Sequence, residues 1–467
     1  MKVITNTFKF RGRKESGNLL LTKEGELLDK DSRAVLPQKT RLLAWAIFLV
    51  FFIENGTLGL LPKQVYFVYR NVRLSDFLIY GLTIYSLFNV KEFADYYKSS
   101  IIIIIKILFI YLLFQFVVST ILYNMNALEY FFRLKGIWSS FMIFPYMLLL
   151  KRGGLPYLIR LILPVAIVSN ILYILSSLSG IAFLPEIGIE KQSLPGGLEV
   201  YRVYGGTFFG EVFFLGFIYI WITRRFRLYQ LGLVLLFVLP HILAFGRSAW
   251  IYFTFILIIM FLWYNLKKRE FRIFLRQGIL IVVLLISVIY AFTRFIPQSE
   301  YLTEAIGARI LQGQEDVKYG KGTYGTRMAN IAMLMDLWLN SNILFGIGMH
   351  PMWVIRPETE QEVFYAWGFS DVRWASVLTA YGLFGFLIAV IFQVQFFIIT
   401  FKLLRKVRAP DIYVFFLLLT IAQLMFDSLI NYSFFMLSIG LWGLSMHTSF
   451  YVANVVHEYV RWQKGKL

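Results

Sequence analysis

Long apolar runs separated by short basic stretches make up most of the chain, and a single extended polar stretch, 297–372, interrupts them. The runs lie at 42–61, 74–90, 100–122, 134–150, 155–178, 204–223, 229–246, 248–264, 277–296, 373–399, 411–430 and 432–453. Inside hydrocarbon every backbone N–H and C=O must bond within its own segment, so runs of about 20 apolar residues predict helices. They are too continuous for barrel strands, in which polarity alternates. The pattern predicts an all-α polytopic membrane protein with about 12 transmembrane helices and a large, partly helical outer loop. Ten, eleven or thirteen spans fit as well, because 42–61 and 411–453 are marginal.

The positions of the basic residues orient this scaffold. With the N-terminus inside, alternation brings Lys91 and Lys98, Lys151 and Arg152, Arg224, Arg225 and Arg227, Lys267 to Arg272, Lys402 to Arg408, and Arg461 to Lys466 to the cytoplasmic side. Cytoplasmic connections are enriched in Lys and Arg, so each of these agrees. The same alternation places 179–203 and 297–372 outside. The expected organisation is a basic cytoplasmic tail (1–40), nine spans (41–296), the large periplasmic loop (297–372), and three spans with a cytoplasmic C-terminus (373–467). Residues 1–40 contain no signal-peptide apolar core.

Composition adds three limits. The chain of 467 residues is 58% hydrophobic, 18% aromatic and carries net charge +19. That charge sits at helix ends, which suits an anionic membrane surface; no interleaved basic and aromatic surface for nucleic acid appears outside the spans. With no cysteine, no disulfide can order the large loop. The four histidines, 241, 350, 447 and 457, pair with no other His or carboxylate at ligand spacing, so no metal site is indicated. His241 follows Pro240 and reads as a kink feature.

Loops as long as 297–372 are uncommon unless functional, so chemistry is expected there. Thr326 followed by 327–339 has the pattern of a capped amphipathic helix, with Met328, Ile331, Ala332, Met335, Trp338 and Leu339 at helical spacing. The glycines of Gly320 to Gly325 precede it, a helix N-terminus attracts phosphate, and Arg327 in its first turn would be tolerated beside a bound anion. A flexible glycine loop with a solvated Arg is the alternative. The P-loop spacing is missing. Arg247, between two spans, either lines a cavity or snorkels to the outer interface; an Arg inside the bilayer costs about 2.5–3.5 kcal/mol. Arg202 and Glu211 flank a glycine-rich approach to another span, and Glu211 needs a partner if buried. Arg309, Tyr324 and His350 are further candidates from the large loop. Asp371, just before the next span, is either a helix cap or a general base toward a hydroxyl. Glu358, Glu360 and Glu362 read as a solvated face, and Lys106 as snorkelling inward.

Four fragments taken together resemble the O-antigen polymerase and ligase superfamily of Wzy-type polymerases and WaaL-type ligases. They are Arg202-Val203-Tyr204-Gly205-Gly206-Thr207-Phe208, Gly246-Arg247-Ser248-Ala249, the stretch from Gly325-Thr326-Arg327 to Gly348, and Gly382-Leu383-Phe384-Gly385. They cover about 200–390; the first 200 residues share only the multispan pattern. The resemblance implies a GT-C-like fold and inverting, metal-independent glycan transfer from undecaprenyl pyrophosphate, without a cofactor, at the bacterial inner membrane. It implies that Arg247 and Arg327 hold the pyrophosphate, with membrane lipids and a polysaccharide co-polymerase (chain-length regulator) as partners. Ligases of this pattern carry His-Asn eleven residues before the Gly-Leu pair; here Asp371-Val372 stands there, so Asp371 is the substitute base and polymerase is favoured over ligase. A secondary transporter or flippase is the reading from another class. Against it, no half-to-half repeat is visible and the polar residues gather at the outer face rather than the midplane.

Overall fold

The computed structural model describes residues 19–21, 27–29, 36–54, 67–69, 72–92, 100–121, 139–183, 188–194, 198–204, 209–223, 228–243, 247–268, 299–320, 322–348, 352–355, 362–365, 373–406, 411–429, 448–449 and 451–452. The expected span 277–296 and most of 432–453 lie outside them, as do His350 and Asp371. Among the described residues the helices are α1 Gln38–Glu54, α2 Leu74–Phe88, α3 Ser100–Ile121, α4 Ile143–Lys151, α5 Leu155–Ser179, α6 Gly210–Thr223, α7 Leu228–Leu243, α8 Arg247–Lys268, α9 Ser299–Tyr319, α10 Gly322–Leu339, α11 Arg373–Lys406 and α12 Asp411–Leu429. Two of these are long and apolar enough to cross a membrane, α5 and the stretch Trp374–Arg405 of α11. Six more carry shorter apolar cores of 10–17 residues. The helical, membrane-type body is therefore as expected.

Four short antiparallel hairpins accompany the helices: β1 Leu19–Leu21 with β2 Leu27–Asp29, β3 Phe67–Tyr69 with β4 Val72–Arg73, β5 Gly188–Leu194 with β6 Leu198–Tyr204, and β7 Met352–Ile355 with β8 Glu362–Tyr365. None was expected from the apolar pattern. The last two fall in the segments read as outer loops, where a two-stranded ribbon satisfies backbone groups that have no helix to join.

The chain forms two compact units, one comprising 1–51, 67–158 and 326–467, the other 52–66 and 159–325. In the first unit α12 is the central helix, buried from Tyr413 to Ala422 on all sides. α1 packs antiparallel on α4: Thr40 lies at the level of Gly154, and the Phe51 and Tyr146 rings are 6.0 Å apart. α2 runs parallel to α4, since Thr83 reaches the Phe141 carbonyl while the far end of α2 meets Arg152. There Arg152 forms a fork on Glu92 (Nε to Oε2 3.0 Å, Nη2 to Oε1 2.7 Å) and also donates to Tyr85 and Asn89. Burial works against the Arg152 charge, but the Glu92 and Tyr85 hydrogen bonds outweigh it and its pKa is raised. In the second unit α6, α7 and α8 form an up-and-down trio joined by short connections. Phe237 of α7 stacks on Phe213 and Phe217 of α6, and Phe253 of α8 meets Phe214 edge-on at 5.2 Å.

The outer surface of α11 is apolar where a water-soluble helix would be polar. Phe384, Leu387, Ile391, Val394, Ile398 and Phe401 are all exposed and recur every three or four residues. An exposed stripe of this length faces lipid rather than water. Before Gly382 the same helix is buried: Ala375 and Val377 to Tyr381 are covered.

Candidate functional site

Four of the sequence candidates belong to elements of the second unit that touch one another in series. Arg202 stands on β6, Arg309 on α9, Arg247 opens α8 and Glu211 lies in the first turn of α6. The β5–β6 hairpin rests on α9, α9 on α8, and α8 on α6. The contact between Phe214 and Phe253, with α6 and α8 parallel, brings the helix starts that carry Glu211 and Arg247 to the same end of the unit. An acidic group in the first turn of a helix is favoured by the dipole. The strand register sets Glu190 directly opposite Arg202.

The polar loop is mostly helical, and this changes the reading of Gly320 to Arg327. α9 is a 21-residue helix where irregular chain was expected. Its signal was present in the density of good helix formers, including Glu304, Ala305, Ala308, Leu311, Gln312 and Gln314. α10 starts at Gly322, not after Thr326, so Thr326 is inside the helix and does not cap it. Gly320 and Gly322 take φ of +61° and +59°, a conformation that costs other residues strain. The Asp316 carboxylate, 8% exposed, packs directly against Gly322 at the start of the helix. That helix N-terminus therefore already faces an anionic side chain. Tyr324 is exposed in its first turn, and Arg327 follows, half-buried, in the second.

Arg327 shares a face with Ile331 and Leu334, positions four and seven residues on. Leu334 is buried against Ala375 of α11, with Ile331, Met333 and Trp374 around it. Thr379 joins the two helices: its hydroxyl is 2.9 Å from the Leu334 carbonyl and 2.8 Å from that of Ala375. α10 descends parallel to α11, because the next contacts link its C-terminal end, Trp338 and Ile343, to Leu383. Seven residues of helix span ~10 Å. Arg327 is thus carried to the level at which α11 begins, two residues after Asp371 in sequence.

Below that level α11 is broken. Gly382 has φ 62° and ψ −171°, non-helical values within the helix. The three ladder bonds lost, from Leu383, Phe384 and Gly385 to the carbonyls of residues 379, 380 and 381, are each replaced from outside. Leu383 and Phe384 donate to the Ile343 and Leu344 carbonyls at 2.9 and 3.2 Å, and the Thr379 and Ala380 carbonyls accept from Ile347 and Gly348, both at 3.0 Å. The third pair is bridged by a side chain from α3. The Tyr111 hydroxyl donates to the Tyr381 carbonyl, and its oxygen accepts from the Gly385 N–H. Gln115 Nε2 donates to Tyr111 Oη at 2.8 Å and to the Phe345 carbonyl at 2.7 Å. A Cβ on Gly382 or Gly346 would collide with the opposing backbone, and one on Gly385 with the Tyr111 ring. The glycines of the two fragments thus permit one close backbone approach.

Sequence reasoning missed Tyr111, Gln115 and Thr379 as members of this arrangement. The available signal was Gln115 itself, an amide in the middle of an apolar run, which in a membrane segment requires a partner. Among the described residues no group of three or more His, Asp or Glu is placed to hold a metal ion.

No curated protein matches the chain. Residues 231–390, from α7 through the break in α11, match the family model described as O-antigen ligase. Members of that family are integral membrane proteins that act on lipid-linked oligosaccharides. The matched segment contains Arg247, Arg327 and both halves of the glycine-dependent clamp, so this part of the chain is similar to that family, consistent with the O-antigen polymerase and ligase superfamily.

Proposed function

We propose that the protein is a polymerase of undecaprenyl-pyrophosphate-linked oligosaccharide repeat units, working at the outer face of the bacterial inner membrane. The observation that carries this reading is the level of Arg327. About 20 apolar residues cross the hydrocarbon, and counted back from Lys402 that length reaches Gly382. Arg327 then stands ~15 Å further out, at the start of α11. A pyrophosphate whose lipid tail lies in the outer leaflet projects from the hydrocarbon toward that side, through a headgroup layer about 5–7 Å thick.

In this mechanism, carried over from the sequence resemblance, Arg327 and Arg247 are the pyrophosphate ligands, and Arg202, Arg309, Tyr324, Glu211 and His350 are the substrate-binding candidates. Arginine presents a planar fork of donors that matches phosphate oxygens. Charge grows on the leaving pyrophosphate as the anomeric bond breaks, and fixed guanidinium groups stabilise that charge without reorganising. Asp371 accepts the proton of the attacking sugar hydroxyl, and inversion follows from attack opposite the leaving group. Pyrophosphate is already a good leaving group, so no metal or cofactor is required. Twelve spans with both termini in the cytoplasm complete the reading. In its support, α1 and α4 are antiparallel, α2 and α4 parallel, and α3 and α11 antiparallel, the relative directions that alternation requires. A chain-length-regulating co-polymerase is the expected partner.

Purified protein incubated with lipid-linked repeat units alone should yield a ladder of longer glycans. Product formed only after a separate lipid acceptor is supplied would make it a ligase, the second reading, which the family description favours. Asp371→Asn separates base from cap, because Asn caps as well as Asp but accepts no proton. Turnover should fall by about 10²–10⁴ with thermal stability retained; undiminished turnover would reduce Asp371 to a cap.

A further inference from the structure

We propose that Tyr111 and Gln115 of α3 are positioning residues for the site, holding Arg327 at its height through the segment 343–348. The inference rests on the reading of Arg327 as a pyrophosphate ligand. Two of the three helical bonds missing at Gly382 are replaced by backbone groups of 343–348, and the third by the Tyr111 hydroxyl, which sits between the Tyr381 carbonyl and Gly385. Gln115, fully buried, ties that hydroxyl to the Phe345 carbonyl, so one amide holds both the break and the segment that fills it.

The segment is in turn bound to α10. Trp338 Nε1 donates to the Ile343 carbonyl at 3.0 Å, Gly346 donates to the Asn342 carbonyl at 2.6 Å, and Asn342 Oδ1 accepts from Leu344 and Phe345. Gly348 closes on Ser119 of α3, where any Cβ would strike the Ser119 side chain. A hydrogen-bonded path therefore runs from Tyr111 and Gln115 through 343–348 and Trp338 into the helix that carries Arg327. Removing the hydroxyl takes one hydrogen bond from the buried Tyr381 carbonyl and one from the buried Gln115 amide, which keeps its bond to Phe345. The break then loosens, the segment shifts against α11, and α10 loses the register that sets Arg327 opposite the start of α11.

The test uses the full chain in lipid nanodiscs, as wild type, Tyr111→Phe, Gln115→Leu and the double variant. Amide hydrogen exchange at 343–348 and 383–385 should accelerate by at least about tenfold in Tyr111→Phe while α12 remains protected. With lipid-linked repeat units, kcat/KM should fall in both single variants, and the double variant should be no worse than the poorer single. In an Arg327→Lys background, Tyr111→Phe should cause little additional loss, because a displaced lysine loses little by further displacement. Unchanged exchange in the clamp would overturn the proposal. So would a full multiplicative loss in the Arg327→Lys background, which would mark a general effect on folding. No turnover by the wild type would instead sink the reading of Arg327 and the positioning role with it, while the exchange data would still decide whether the two side chains hold the segment.

Discussion

Gly382 shows how far one residue can decide the local backbone. Its φ of 62° is available to glycine at little cost, and its missing Cβ leaves room for Leu344 and Gly346 to reach the α11 backbone. Gly382→Ala should therefore lower stability by about 1–3 kcal/mol or more, since φ 62° with ψ −171° is essentially closed to residues with a Cβ and the close approach is lost as well. Gly81→Ala in α2 is the control: nothing lies within 4 Å of a Cβ there, and alanine is the better helix former. Thermal unfolding in detergent should show the first variant falling and the second rising slightly. Arg247→Ala and Arg327→Ala should each abolish glycan elongation at normal protein level, and the lysine variants should be poor but measurable, because a point charge keeps the attraction without reproducing the fork. Near-wild-type product from both alanine variants would leave the two arginines as interfacial anchors.

Between elements, the contacts that matter most are those where a polar side chain completes a backbone. Thr379 ties α10 to α11, and the Tyr111 hydroxyl completes the break. The Arg152 fork on Glu92 does a different job, joining the ends of α2 and α4 and so bringing together two connections expected on the same side of the membrane. Arg152 is 9% exposed and Glu92 32%, so the pair lies between a surface bridge and a buried one. Breaking it with Glu92→Gln should cost on the order of 1 kcal/mol or more, above the typical exposed pair. A double-mutant cycle with Arg152→Met, read by urea or SDS unfolding, should show positive coupling. Additive losses would mean the fork contributes nothing beyond packing.

For the molecule as a whole, the question is which way the scaffold faces. The chain has no cysteine, so single cysteines report cleanly. Val317, 62% exposed on α9, belongs to the side expected outside, and Lys402, exposed near the end of α11, to the side expected inside. A membrane-impermeant maleimide added to cells with a permeabilised outer envelope should label Val317→Cys and spare Lys402→Cys until the inner membrane is lysed. The opposite pattern would invert the topology and remove the site from the outer face.

The helices were legible in the chain because a long apolar segment has only one local way to satisfy its backbone. The starts of α2, α3, α5 and α11 coincide with the expected boundaries for that reason. The fragments between 246 and 385 likewise pointed to the family whose model matches 231–390, since their glycines and arginines are local features. The clamp was not legible. No periodicity in 343–348 says that its carbonyls and amides will be spent on a helix break forty residues later, or that a tyrosine of α3 will supply the third bond. The start of α10 at Gly322 was hidden for a related reason: glycines read locally as loop, and a side chain six residues upstream, Asp316, packs against that start. Local chemistry and the surrounding solvent determine which segments become helices. Where a helix must break, and which distant groups satisfy the backbone it exposes, is decided by long-range contacts that exist only once the chain has packed.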